Sequence, residues 1–161
     1  MSLVQYKLSS VIGPLFLVAS PKGLRSIHFE KQEAPVVKSL TSSAPAVRIL
    51  AQAVSELKAY FGGGRRQFDI ALDCDGTPFQ RKVWQALSKI PYGETRSYRD
   101  IASAIGKSKA FRAVGTANGR NPVCIIVPCH RVIAADGSLG GYTGGLDKKT
   151  KLLRLEERAS A

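Results

Sequence analysis

Apolar residues alternate with polar ones over residues 3–9 and run almost unbroken over residues 15–20, which predicts two strands joined through Gly13-Pro14. Pro21-Lys22-Gly23 turns the chain into a third strand near residues 24–29. The pattern then lapses: residues 31–45 are polar and hold Ser and Pro, as a connection does. From there the period lengthens, because Val47, Leu50, Ala51, Val54, Leu57 and Phe61 recur at the spacing of one helical face. Gly62-Gly63-Gly64 ends that helix, and residues 68–74 are expected to form another strand. The boundary of a second domain falls near Asp75-Gly76-Thr77. Thr77 and Pro78 suit a helix start, and Phe79, Val83, Trp84 and Leu87 form one face until Ile90-Pro91-Tyr92-Gly93 breaks it. Phe79 and Trp84 read as core residues.

The next pattern is a pair of short helices. Ser97-Tyr98-Arg99-Asp100 has the form of a capping box, with the acid three residues after the cap. Tyr98, Ile101, Ala102 and Ile105 then share a face, and Gly106 closes the helix. Ser108 is expected to cap a second helix reaching about Asn118, with Ala110, Ala113, Val114 and Ala117 as a narrow buried face. Lys109, Arg112 and Thr116 fall on the opposite side. Two short helices around a Gly-containing turn predict a helix-turn-helix, the second being the recognition element. After it the apolar run Val123–Val127 reads as a strand and delivers Pro128-Cys129-His130-Arg131-Val132 at its exit.

Charge sharpens this picture. Nine Lys/Arg against six Asp/Glu give residues 1–75 a net +3, and fifteen against six give residues 76–161 a net +9. Six cations and one acid lie between Thr95 and Asn121. A polyanion is the natural partner of such a field. No apolar stretch approaches the ~20 residues needed to span a bilayer, and no secretory signal is seen. Cys74, Cys124 and Cys129 make an odd set, and each is expected to be a free thiol in a reducing compartment. A structural zinc is not expected, since Cys124 and Cys129 are not spaced as C-x-x-C and His28 and His130 are the only histidines.

Cys129 is the candidate nucleophile. It follows a proline at the rim of the apolar run and adjoins an imidazole, and a neighbouring base raises the thiolate population. On extended chain adjacent side chains diverge, so a bridging water is the expected relay between His130 and the sulfur. His130 then needs a partner on its other ring nitrogen, and Glu156 and Glu157 of the C-terminal helix are both candidates.

The residues that carry a resemblance are Phe79-Gln80, Val83-Trp84, Leu87, Ile90-Pro91-Tyr92-Gly93-Glu94-Thr95 and Ser97-Tyr98. Arg112-Ala113-Val114-Gly115, Asn121-Pro122, Pro128-Cys129-His130-Arg131-Val132 and Gly140-Gly141-Tyr142 extend it. From about residue 77 to 157 the chain resembles the O6-alkylguanine-DNA alkyltransferases. Phe111, Cys124, Thr143 and Glu157 depart from the common pattern. The resemblance implies an α+β fold. A small N-terminal mixed α/β, ribonuclease H-like support domain (1–75) packs on a mostly helical, winged-helix or helix-turn-helix C-terminal domain (76–161) that carries the cysteine.

It further implies repair by direct reversal: Cys129 takes an alkyl group, irreversibly and once per molecule, from O6 of guanine, and from O4 of alkylated thymine. His130 would act through water, Glu156 would orient its ring, and Asn121 would stabilise the turn. Tyr98 would promote rotation of the nucleotide and Arg112 would fill the gap. Ala113, Lys109, Thr116 and Arg120 would join these two on the DNA, the recognition helix entering the minor groove. Val132, Tyr142, Thr143 and Gly144, with Tyr98, would line the base pocket. The implied partner is double-stranded DNA containing O6-alkylguanine, met by a monomer without cofactor, metal or membrane. The implied location is the cytoplasm, on the nucleoid of a prokaryote, or the nucleus of a eukaryote. A lesion binder lacking transfer, a helix-turn-helix regulator and a cysteine hydrolase are the rival readings. Cys129, the absence of long base-reading side chains, and single rather than repeated turnover separate them from an alkyltransferase.

Overall fold

A computed structural model describes residues 2–160 of the chain, which divides into two compact units, Met1–Asp75 and Gly76–Ala161. In the first unit β1 (Val4–Leu8), β2 (Leu15–Ser20) and β3 (Gly23–His28) form an antiparallel sheet in the order β1-β2-β3. α1 (Pro45–Phe61) lays the face Val47, Leu50, Val54, Leu57 and Tyr60 against it, chiefly over β2. Leu15, Leu17, Leu24, Leu50 and Leu57 are fully buried there. Burying each such side chain stabilises by about 1.5–3 kcal/mol.

The connection after β3 is pinned rather than loose. Gln5 is fully buried; its Nε2 donates to the Gln32 and Ala34 carbonyls, and its Oε1 accepts from the Gln32 amide at 3.1 Å.

Residues 68–74 do not form the expected strand. Their backbone meets β3 only around Leu24, through Leu24 N to Ala71 O at 2.8 Å and Asp73 N to Leu24 O at 2.9 Å. The amides of Asp69 and Ile70 are diverted to the buried Glu56 carboxylate instead, at 2.8 and 3.2 Å. A side chain captures the donors that a strand ladder would need. The approach is close enough that a Cβ on Gly23 would sit 2.7 Å from the Ala71 carbonyl oxygen.

The second unit opens with α2 (Pro78–Leu87), whose start is a full capping box between Thr77 and Gln80. Trp84 is buried in the unit and donates its Nε1–H to the Ala117 carbonyl at 2.9 Å. β4 (Arg96–Ser97) leads into α3 (Tyr98–Ala104), which carries the predicted box between Ser97 and Asp100. Gly106, at φ +75°, ends it: Gly106 N bonds Ser103 O and Lys107 N bonds Ala102 O, the two bonds of a Schellman stop.

α4 (Phe111–Gly119) begins two residues later than the Ser108 cap implied. Ser108 and Lys109 lie in a turn, and Ala110 is the N-cap, with no side-chain cap bond. Lys109 therefore does not share a helical face with Arg112 and Thr116. The buried residues of α4 are Val114, Ala117 and Asn118, while Ala113 is exposed. α2, α3 and α4 pack on one another. Beyond them come a single 3-10 turn (Cys129–Arg131), β5 (Val132–Ile133) paired parallel to β4, and α5 (Leu146–Ser160).

Candidate active site

The apolar run after α4 is not a strand. Asn121 folds it back: its Nδ2 donates to the Val127 carbonyl at 2.7 Å and its Oδ1 accepts from the Val123 amide at 3.1 Å. Val127 N also reaches Val123 O at 3.0 Å, so one side chain and one backbone bond close the turn. Ile125 is forced to φ +76°, rare for a β-branched residue. Such strain costs about 1–3 kcal/mol. Full burial of the Ile125 side chain offsets it with about 1.5–3 kcal/mol. The turn delivers the chain to Pro128 and the 3-10 turn, tied by Cys129 N to Val127 O at 2.8 Å and Arg131 N to Pro128 O at 3.0 Å.

Within that turn three consecutive side chains reach different surroundings. Cys129 lines a cavity of about 310 Å³ whose walls include Tyr98, Gly115, Asn118, Tyr142 and Thr143. His130 and Arg131 instead meet α5 at Glu156, which is 1 % exposed, whereas Glu157 is exposed. Glu156 accepts from His130 Nε2 at 2.6 Å, from Arg131 Nε and Nη2 at 2.8 and 3.0 Å, and from the Gly93 amide at 3.2 Å. Arg131 gives its remaining Nη1 to the Ile90 carbonyl at 2.7 Å. An ionised Glu156 can only accept, which places the imidazole proton on Nε2. The Nδ1 of His130 is buried and has no hydrogen-bond partner, so its lone pair is free. Burial lowers the His130 pKa despite the opposing pull of Glu156, keeping the ring neutral.

Electrostatics at the sulfur run in opposite directions. Burial pushes the Cys129 thiol up, while a hydrogen bond from Asn121 and the positive charge of Lys149 pull it down. Lys149 is itself fully buried, and its Nζ donates to the carbonyls of Val132 at 2.6 Å, Leu139, and Gly141 at 3.0 Å. Desolvation brings its pKa down to about 8, against a smaller upward push from Cys129. Burial also drives the Cys124 thiol up, leaving it protonated and a poor rival nucleophile.

The segment over the cavity is shaped by close approach. A Cβ on Gly140, which lies at φ +69°, would sit 2.8 Å from the Tyr98 hydroxyl oxygen. Thr143 ties the same segment to α4 by donating its Oγ1 to the Gly119 carbonyl at 2.9 Å.

Of the pocket residues read from the sequence, Tyr98, Tyr142 and Thr143 line this cavity. Val132 is fully buried and offers its carbonyl to Lys149, and Gly144 is not part of the lining. On the helix-turn-helix, Arg112, Ala113, Thr116 and Arg120 are exposed on or just after α4, and Lys109 is exposed in the turn before it. Sequence reasoning missed Arg131, Lys149 and Asn118. Asn118 lines the cavity and donates Nδ2 to the Cys129 carbonyl at 3.4 Å. The only local signal for Arg131 is its place beside His130; Lys149 looks like any lysine of a basic helix.

A cavity-lining thiol beside a neutral imidazole–carboxylate pair, in a unit that also carries a basic helix-turn-helix, defines a DNA-directed thiol acceptor. Residues 78–158 match the 6-O-methylguanine DNA methyltransferase DNA-binding domain, and residues 3–74 match the ribonuclease-like domain of the same methyltransferase. The chain belongs to the 6-O-methylguanine DNA methyltransferase family. It is 48% identical over 153 residues to the methylated-DNA--protein-cysteine methyltransferase of Methanosarcina barkeri, spanning 93% of this chain and 94% of that protein. Identity is 51% over 150 residues to the like-named protein of Mycobacterium leprae, spanning 93% and 90%. The crystal structure of Mycobacterium tuberculosis OGT in complex with DNA superposes with a TM-score of 0.86 at 44% identity, covering 97% of this chain and 94% of that one.

Proposed function

We infer that this protein repairs alkylated DNA by transferring the alkyl group from O6 of guanine to Cys129. The observation that carries the reading is the placement of Cys129 in a walled cavity, one residue from a buried histidine that is bonded to Glu156. A thiolate is a soft nucleophile suited to displacement at an alkyl carbon. Sγ forms a bond to that carbon as the bond from carbon to O6 breaks. The thiol proton passes through a water to His130 Nδ1, and guanine leaves with the electron pair of the broken bond. Reprotonation of the base from the histidine closes the balance: thiol plus O6-alkylguanine gives thioether plus guanine. Glu156 holds the imidazole with Nδ1 available, and Asn121 fixes the turn that presents the sulfur. A thioether has no easy leaving route, so each molecule acts once. O4 of alkylated thymine offers the same chemistry and is included in the proposal.

The alkyl carbon cannot meet a protein thiol inside the base stack, so the nucleotide must leave the duplex. Tyr98, at the cavity wall, promotes that rotation and Arg112 fills the space left. Ala113, Thr116, Lys109 and Arg120 hold the groove and backbone, with phosphate contacts supplying most of the affinity. Residues 1–75 act as a support domain for the reactive unit. The protein works as a monomer on double-stranded DNA, in the compartment that holds the chromosome. No helix among the described residues is long and apolar enough to cross a membrane.

The test is stoichiometry. With excess O6-methylguanine duplex, repaired product should plateau at one per protein molecule, and Cys129→Ala should bind DNA yet give none. Continued product formation beyond one equivalent would identify a turnover hydrolase instead.

A further inference from the structure

Phe111 is the first residue of α4, at the end of the helix-turn-helix where the exposed cation Arg112 follows it. Its ring is half-buried, so one part is anchored and another reaches the surface. The Arg99 guanidinium of α3 lies over the ring with its Cζ 4.6 Å from the centroid, and that of Arg112 stands at 6.0 Å. Beside the cations Lys109 and Arg112, the residues on this end of the helix are small: Ala110 before the ring, Ala113 and Thr116 beyond. A large aromatic ring, flanked by two guanidinium groups and set beside the small residues Ala110 and Ala113, gives this end of the helix a flat apolar surface.

We propose that Phe111 is a DNA-binding residue that stacks on the base exposed when the damaged nucleotide leaves the duplex. The inference rests on the alkyl-transfer reading, because only base extrusion leaves an unstacked partner for the ring. In the free protein the guanidinium of Arg99 covers the ring, an exposed cation–π contact of the weaker sort. A stacked base holds an aromatic ring more strongly than an exposed guanidinium does. The ring therefore exchanges the cation for the base, and Arg99 is released toward a phosphate, where its charge is best used. Arg112 enters the gap beside it, so that the orphaned base is met by a cation and a ring together. Apolar side chains that enter a minor groove commonly act as wedges between base steps in this way.

Single-turnover transfer rates on two substrates test the proposal: a duplex carrying O6-methylguanine, and the free O6-methylguanine base. Phe111→Ala should slow transfer from the duplex by about tenfold, the scale of one lost base stack. It should leave the free-base rate unchanged, and Phe111→Trp should restore the duplex rate. Equal duplex rates for Phe111→Ala and the unaltered protein would overturn the stacking role. A parallel loss on both substrates would overturn it too, by making Phe111 a packing residue of the fold. Absence of transfer from either substrate by the unaltered protein would defeat the alkyl-transfer reading itself, and this inference with it.

Discussion

Glu156 neutralises two demands at once, the guanidinium of Arg131 and the ring proton of His130, in a place where neither can reach water. Removing one partner of a buried ion pair leaves the other uncompensated, at a cost of about 3–5 kcal/mol. Glu156→Ala should therefore lower the thermal midpoint by roughly 10 °C, at about 2–4 °C per kcal/mol for a chain of this size. Differential scanning calorimetry checks this, and a shift within about 1 °C would contradict the account.

His130 adds a pH dependence whose sign follows from burial. Its folded pKa lies below the ordinary 6.5, and His28 is lowered by burial in the same direction. Below the unfolded value the unfolded chain takes up protons that the folded rings refuse. The stabilising contribution is thus present above pH 6.5 and is lost as pH falls through the folded values. The urea midpoint should fall between pH 7.5 and 5.5, and the paired replacement His28→Gln, His130→Asn should flatten that change. An undiminished pH response in the paired variant would place its origin elsewhere.

The segment of residues 137–145 and the helix-turn-helix meet at a point where an added methyl group has no room. Gly140→Ala should push the Tyr98 hydroxyl from its place, because the new Cβ would approach it to 2.8 Å at a φ that alanine avoids. The expected result is slower repair of duplex by about tenfold or more, read in a single-turnover assay, since displacements of this order disable positioned groups. An unchanged rate would show that Tyr98 does not act from the position it holds.

Much of this element layout was legible because its signals are local. The Ser97–Asp100 box, the Gly106 stop and the helical face of α1 depend on residues a few places apart; the structure carries the first two, and α1 buries Val47, Leu50, Val54 and Leu57 as expected but Tyr60 rather than Ala51 and Phe61. Two misreadings share one cause, a side chain overriding local propensity. Val123–Val127 looks extended until Asn121 takes both a donor and an acceptor from it. Residues 68–74 look like a strand until Glu56 claims two amides. Arg131 and Lys149 stayed hidden because their partners lie 25 residues on, at Glu156, and 8 to 17 residues back, among backbone carbonyls.

For the molecule as a whole, the charge excess is concentrated in residues 76–161, at +9 against +3 for residues 1–75. Binding that depends on phosphate neutralisation weakens as salt rises, with a slope of about −0.9 per neutralised phosphate on a log–log plot. Arg120→Ala should reduce that slope by about one without changing preference among duplex sequences, as fluorescence anisotropy across a salt series would record. A steep change in sequence preference with an unaltered slope would instead make Arg120 a base-reading residue.

Intact-mass and peptide mass spectrometry after incubation with a duplex containing O6-methylguanine would show whether Cys129 is the acceptor and is used once. Each molecule should gain one methyl group, confined to the peptide that contains Cys129. A methyl group on Cys124 or Cys74, or no gain in a protein that still binds the lesion, would contradict it.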